Sequence, residues 1–290
     1  MLDFRVETFL AVCRTMNFTR AAEQLHITQP AVSQHIHALE EQYDTKLFDY
    51  HGKQLRLTES GQMFLQTAET MRHDARRLRE LIAQSEAQRR LNFGATLSIG
   101  EYIMPSPLLR LMGSRPELQL RMLVANTHEL LKLLDTGELD FAIVEGYFDS
   151  QIYDSIVYCT KRFIPVCAPE YSFEKPVRYM EDLLGARLLV REPGSGTRNV
   201  LERALEERNL GIQSFRGVAE LGSLDLIKSL VMSGAGISFF YEPVVEAELR
   251  SGELREIALE DAEISHDFCF IWRRGSVFEP YYREIYALLH

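Results

Sequence analysis

Along residues 4–40 the apolar positions recur every three or four residues, the spacing of amphipathic helices rather than of strands. Val6, Phe9, Leu10 and Cys13 set out a first helix. A second is expected from Thr19, an acceptable N-cap, with Ala21, Ala22 and Leu25 turned inward. After a turn at His26 and Ile27, Thr28 caps a third helix, with Pro30 in its first turn, where a missing N–H does no harm. Val32, Ile36 and Leu39 fall on the inner face of this helix, while Gln29, Ser33 and His37 recur every four residues on the outer one. Two short helices with small residues at their crossing and a tight turn between them outline a helix-turn-helix.

The wet face of the third helix carries amides, a hydroxyl and an imidazole instead of fixed charges. Such groups suit the reading of base edges, where an amide pairs bidentately with adenine, whereas fixed charges mainly supply sequence-independent affinity. Next, KLFDYHGKQLRLT reads as two strands, Lys46–Asp49 and Gln54–Thr58, turning at His51-Gly52. A hairpin placed there would be a wing, from which Lys53 and Arg56 reach phosphates or the minor groove. On physical grounds alone a small helical domain with a solvated third helix explains residues 1–58 equally well.

From Glu59 to Arg89 there is no proline, and Phe64, Ala68, Met71, Ala75, Leu78, Ile82 and Ser85 alternate spacings of four and three. This is a heptad seam, flanked by Arg72, Arg76, Arg77, Arg79 and Glu80, and it predicts a long helix that pairs with a second copy. The competing expectation is a helix packed on its own domain. Pairing would present two reading heads to a pseudo-palindromic site.

After Arg90 short apolar runs alternate with helical segments, the pattern of an α/β architecture with largely parallel sheets. Expected strands are Leu91–Ala95, Leu118–Val124, Phe141–Val144, Ile164–Ala168, Leu188–Arg191, Phe215–Ala219 and Gly236–Tyr241. Phe268–Trp272 is expected to return to the first half before a last helix over Pro280–Leu289. Two lobes follow, joined by crossings near Cys159–Arg162 and Ile264–Phe268. Ligands in such sheets bind beyond the carboxyl ends of strands. In the first lobe that position is held by Thr96, Leu97 and Ser98, ahead of a helix expected near Glu101, and by Asn126 and Thr127. In the second it is held by REPGSGTR, where Ser195, Gly196 and Thr197 open a helix. Hydroxyls and free N–H groups at helix N-termini make a natural anion site, although Ser and Thr there serve as plain N-caps about as often. PGSGT lacks the GK[ST] ending of a P-loop and the spacing of a dinucleotide fingerprint. Arg198 has a competing role in a structural ion pair.

Composition sharpens this picture at two points. The net charge of −10 argues against a nucleic-acid partner for the chain as a whole. It is not evenly spread, because Arg5, Arg14, Arg20, Lys46, Lys53 and Arg56 nearly balance Asp3, Glu7, Glu23, Glu40, Glu41, Asp44 and Asp49 over residues 1–58. The four cysteines, Cys13, Cys159, Cys167 and Cys269, include no C-x-x-C pair, so no metal site and no disulfide framework is indicated. No run approaches eighteen apolar residues and the N-terminus lacks a signal-peptide pattern, so a cytoplasmic protein without membrane contact is expected. No catalytic constellation, metal spacing or cofactor motif stands out, and His266-Asp267 is expected to be a strand-end pair. The chain is expected not to be an enzyme and to need no cofactor.

The stretch FTRAAEQLHITQPAVSQHIHALEEQYDTKLF followed by LRLTESG resembles the LysR-type transcriptional regulators, landmark by landmark, and the likeness continues through LNFGATLSIGEYIMP, GELDFAIVEG and GAGISFF. The resemblance implies an α/β effector domain of two periplasmic-binding-protein-like lobes, preceded by an N-terminal winged helix-turn-helix and a long linker helix. The expected divisions are 1–58, 59–90 and 91–290, with lobe I about 91–160 and 266–290 and lobe II about 161–265. It also implies a homo-oligomer, dimer or tetramer, acting on double-stranded promoter DNA with RNA polymerase as a further partner. The DNA-binding candidates are Thr28, Gln29, Pro30, Ser33, Gln34, His37, Lys53 and Arg56. The effector-binding candidates are Thr96, Ser98, Asn126, Thr127, Ser195, Gly196 and Thr197, holding a small anionic metabolite. REPGSGTR looks like the branch serving sulfur, nitrogen or carbon assimilation.

Relatives often carry Arg at the positions of Gln34, His37 and Tyr50, so fewer phosphate contacts and a shallow salt dependence are expected here. DNA affinity is also expected to rise as pH drops through the imidazole range, since a phosphate beside His37 favours its charged form. Two alternatives stay open: a cytoplasmic solute-binding receptor whose N-terminal region serves only assembly, and a redox-responsive regulator using Cys159 and Cys167.

Overall fold

The structure is a computed structural model that describes residues 3–52, 54–83 and 90–290. Helices α1 (Phe4–Thr15), α2 (Phe18–Leu25) and α3 (Gln29–Gln42) close on a core of Phe9, Leu10, Ala21, Val32, Ile36 and Leu39. Helix α2 begins earlier than its spacing predicts. Asn17, not Thr19, is the cap, because its extended backbone lets the side chain accept from Arg20 N–H at 3.0 Å. His26 adopts a left-handed conformation, φ 56°, and its N–H closes back on Ala22 and Glu23, which makes the turn. Thr28 caps α3 as expected, accepting from Ala31 N–H.

The wing is an antiparallel pair, β1 (Phe48–His51) and β2 (Gln54–Leu57); its Lys53 lies outside the described residues. The first strand begins two residues later than expected because Leu47 turns into the core and its N–H is taken by the Glu40 carboxylate at 3.0 Å. Helix α4 (Glu59–Ala83) follows directly, with Gly61 N–H donating to Thr58 Oγ1. A Cβ at Gly61 would lie 2.0 Å from the Leu47 carbonyl oxygen, so glycine is needed where helix meets wing.

The remaining chain runs β3 (Arg90–Ala95), α5 (Leu97–Tyr102), α6 (Pro105–Ser114), β4 (Gln119–Val124), α7 (Thr127–Asp135), β5 (Phe141–Val144) and β6 (Tyr153–Cys167). It continues with β7 (Arg187–Val190), α8 (Gly196–Glu206), β8 (Gly217–Glu220), α9 (Leu224–Met232), β9 (Ser238–Tyr241), α10 (Glu242–Ser251), β10 (Arg255–Glu256), β11 (Ile264–Arg273) and α11 (Glu279–Leu289). Strands β3, β4 and β5 are parallel and form the first lobe with β11 and β6; β7 and β8 pair in parallel in the second. Strand β6 pairs with β11 over Tyr153–Phe163 and with β9 over Phe163–Val166, so these long strands tie the lobes together. The two expected crossings lie opposite each other, Cys159 to Phe268 and Arg162 to Ser265.

Two expectations need correction. Ile164–Cys167 is only the end of the 15-residue β6, and Ala168 lies just beyond it; the strand continues back through the polar Thr160–Arg162 to Tyr153, where the apolar run Ile156–Cys159 gives no separate element. Helix α5 starts at Leu97, not near Glu101, because Thr96 already has the extended backbone of a cap and Ile99 is buried one turn later.

The seam on α4 also divides. Phe64 packs edge-on against Phe9 at 4.9 Å and Ala68 is buried, so both belong to the core of their own helix-turn-helix. Of the seam positions, Met71, Leu78 and Ile82 stand 51%, 50% and 77% exposed and leave an apolar edge open; Ser85 lies outside the described residues. The flanking polar residues are not all solvated. Arg77 pairs with Asp140 at 3.0 Å, and Arg72 donates to the Asp135 carbonyl at 3.1 Å. His73 Nε2 donates to the Leu139 carbonyl at 3.0 Å, and Arg273 of β11 reaches Glu69 and Asp135. One face of α4 is therefore docked on the first lobe of its own chain.

Candidate functional site

At the N-terminal end the side chains expected to read DNA lie on one surface. Thr28, Gln29, Pro30, Gln34 and His37 are exposed, Ser33 is half-buried, and Arg56 is exposed on the wing opposite Asp49. Gln29 Nε2 donates to Ser33 Oγ at 2.8 Å, which holds the amide along the helix face. Met16, Asn17, Thr19, Gln29, Ser33 and Tyr50 line a groove of about 390 Å³ between α2, α3 and the wing. His37 lies 3.2 Å from Glu41 on the open side of α3. Its neighbour His35 is turned inward, bonded to Thr8 at 3.0 Å and packed on Phe4.

Glu40 was not singled out from the sequence, yet it sets the angle of the wing. Its carboxylate is buried, takes the N–H groups of Leu47 and Phe48, and pairs with Lys46 at 2.6 Å. Burial works to raise its pKa, but the Lys46 ammonium and the two N–H groups outweigh it and hold the carboxyl below its usual range.

In the second candidate site, three parallel strands end together. Thr96 follows β3, Asn126 follows β4 by one residue, and Glu145 follows β5 directly. From the other lobe come Arg191 after β7, the start of α8, and Tyr241 at the end of β9. The Glu145 carboxylate is the meeting point. It accepts from the Thr96 hydroxyl, from Thr197 Oγ1 at 3.0 Å and from Ser98 Oγ at 3.4 Å. Thr127 Oγ1 donates to the Glu145 carbonyl at 2.9 Å. Six of the seven expected effector contacts are fully buried here, and four of them, Thr96, Ser98, Thr127 and Thr197, bond to Glu145.

Of the other three, Asn126 and Gly196 lie at the join between lobes. Asn126 caps α7 and donates to Glu192 at 3.2 Å, and His128 N–H reaches the Gly194 carbonyl at 3.2 Å. Ser195 precedes α8 without a side-chain cap bond. Gly196 abuts Gly146 and Glu145 so closely that a Cβ would lie 2.1 Å from the Glu145 carbonyl oxygen. Burial pushes the Glu145 carboxyl above its ordinary range, although the hydroxyls and the Arg191 guanidinium oppose this. Tyr241 is buried, and its hydroxyl has no hydrogen-bond partner among the described residues; burial, and after it the Glu145 charge, raises its pKa.

Residues 84–290 match the LysR substrate binding domain family, and residues 5–62 match the bacterial regulatory helix-turn-helix proteins of the lysR family. The chain belongs to the LysR family of transcriptional regulators. Among curated relatives of this LysR-type regulator, CbbR of Rhodospirillum rubrum is 29% identical over 288 residues, covering 98% of this chain and 94% of the relative. CysL of Bacillus subtilis is 27% identical over 271 residues, covering 92% and 89%. The fold is shared with the full-length regulator LysG of Corynebacterium glutamicum, solved with bound effector Arg, at a TM-score of 0.64 and 19% identity over 100% of this chain and 98% of that one.

Three further sequence expectations for this regulator meet the geometry. Arg198 makes the structural ion pairs, to Glu202 at 2.8 Å and Glu220 at 2.6 Å. Cys159 and Cys167 cannot form a redox bridge, because eight residues of the same strand separate them by roughly 26 Å. Burial raises the pKa of both thiols. His266 is not at a strand end but within β11, where Nε2 accepts from Gly146 N–H at 3.2 Å and burial lowers its pKa.

Proposed function

We propose that a small anionic metabolite entering between the lobes at Thr96, Ser98, Asn126, Thr127, Ser195, Gly196 and Thr197 modulates promoter binding by this LysR-type regulator. The observation that carries the reading is the bond from Thr197 of one lobe to Glu145 of the other, which makes the relative position of the lobes depend on what occupies this point. A ligand shifts such an equilibrium only by its differential affinity for the two arrangements, and these buried donors supply one.

On the DNA side, Thr28, Gln29, Pro30, Ser33, Gln34 and His37 enter the major groove while Lys53 and Arg56 of the wing meet the backbone. The working units are residues 1–58, 59–90 and 91–290. Met71, Leu78 and Ile82 pair α4 with a second copy, giving a dimer that can assemble into a tetramer on a pseudo-palindromic element, within reach of RNA polymerase. Because α4 is bonded to the first lobe through Arg77 and Arg273, lobe movement would reach the reading heads through the helix.

The test is selection of an operator from random duplex DNA by the full chain, followed by titration in the presence of a panel of small carboxylates and oxyanions. Gln29→Ala is expected to lose sequence preference, and Thr197→Val to alter the ligand response without changing the preferred sequence. An operator affinity that no panel member changes, in wild type or Thr197→Val, would count against the reading.

A further inference from the structure

Where the lobes meet, hydroxyl donors gather on one buried carboxylate, and that arrangement bears on which anions the site accepts. The hydroxyls of Thr96, Ser98 and Thr197 converge on Glu145, the Arg191 guanidinium favours its charged form, and the buried Tyr241 hydroxyl, which feels that charge, has no hydrogen-bond partner among the described residues. Arg191 is held by Glu192 through two contacts of 2.8 Å, so its position is fixed. The start of α8 adds backbone N–H groups that have no partner within the helix. An ammonium ligand would find Glu145 already surrounded by donors and Glu192 engaged by Arg191 and Asn126. An anion would find hydroxyl donors beside the Glu145 carboxylate.

Resting on the ligand-cleft reading, we propose that Glu145 is the specificity-determining residue of this site and selects small oxyanions that still carry a proton over fully ionised ones. An ionised carboxylate only accepts. An oxyanion without a proton would face it lone pair to lone pair, two like charges out of water with no hydrogen between them. An oxyanion bearing O–H donates that hydrogen to Glu145 in a charge-assisted bond while its remaining oxygens take the hydroxyls and N–H groups. Ligand entry would interpose the anion between Glu145 and Thr197, replacing the direct bond between the lobes by a bridge. The Tyr241 hydroxyl would then gain an acceptor. A site built to hydrogen-bond an O–H rejects an analogue lacking it by on the order of 10⁴ in favourable cases.

The experiment is calorimetric titration of the full chain at neutral pH with inorganic phosphate, sulfite and sulfate. Phosphate and sulfite keep a proton at that pH in a substantial fraction, and sulfate keeps none. The proposal expects phosphate or sulfite to bind and sulfate to bind at least about a hundredfold more weakly. Glu145→Gln, whose amide donates, should accept sulfate and lose the preference; Tyr241→Phe should weaken binding without changing it. Sulfate binding wild type as tightly as phosphate or sulfite overturns the proposal, and this comparison needs no variant to fold. Silence of all three anions on wild type also overturns it. If the operator affinity still responds to another panel member in that case, the ligand-cleft reading stands and only the assignment to Glu145 falls.

Discussion

Thr197 at the start of α8 donates across the join between the lobes to Glu145 at 3.0 Å, and Gly196 beside it touches the backbone of the same glutamate. Both bring the two lobes together at one point. In Gly196→Ala the new methyl group would meet the Glu145 carbonyl, a backbone atom that cannot swing aside. Closure should be blocked, the ligand-induced rise in melting temperature lost, and protease cleavage between the lobes increased. Unchanged melting and cleavage would contradict this.

Glu145 also sets a pH dependence. Burial raises its carboxyl above the ordinary 4.5, so between that value and the folded one the native state holds more protons than the unfolded chain. Stability then falls as pH rises through this window. Thermal melting of the ligand-free chain should show the decline from about pH 4.5 upward. Glu145→Gln should flatten it and melt higher at neutral pH.

Arg77 and Asp140, 3% and 6% exposed, form a buried ion pair between α4 and the first lobe. Removing one partner strands the other in a dry contact, a loss of about 3–5 kcal/mol. Asp140→Ala should show it in denaturant unfolding, and the double replacement Arg77→Met with Asp140→Leu should recover much of it.

The wing should fail in acid. The folded pKa of Glu40 lies below its unfolded value, so its contribution is complete above about 4.5 and is lost as pH falls through the folded value. Glu40→Gln should cost about 1–3 kcal/mol and remove this acid sensitivity from the helix-turn-helix. Lys46 is engaged by Glu40 and Arg5 by Asp3, which leaves fewer basic groups for phosphates. The slope of log affinity against log salt should therefore be shallow, losing about 0.9 per contact.

Much of this was legible in the chain because it is written in short-range pattern. The i, i+3, i+4 spacing placed α1 and α3, the run FAIV placed β5 to the residue, and serine and threonine after strand ends marked where the lobes meet. What stayed hidden depends on long-range partners. Nothing near Glu40 indicates that the N–H groups of Leu47 and Phe48 will come to it. The seam over Phe64 and Ala68 has coiled-coil spacing, but those side chains are taken by their own domain. The full length of β6 is hidden because the polar Thr160–Arg162 interrupt its apolar runs, although the backbone pairs straight through them. Glu145 could have been found: it stands directly after an all-apolar strand, at the carboxyl end where ligands collect. The hydroxyls drew attention to an anion from outside, while the nearest one belongs to the chain itself.

The most direct test is a fluorescence anisotropy titration of the full chain on its selected operator, with and without phosphate or sulfite, at fixed salt. The account predicts that one of these anions shifts the apparent affinity and that Thr197→Val reduces the shift while leaving the preferred sequence intact. Identical binding curves with and without the anions, from a preparation in which calorimetry shows the anion bound, would contradict it, because the cleft would then be uncoupled from the reading heads.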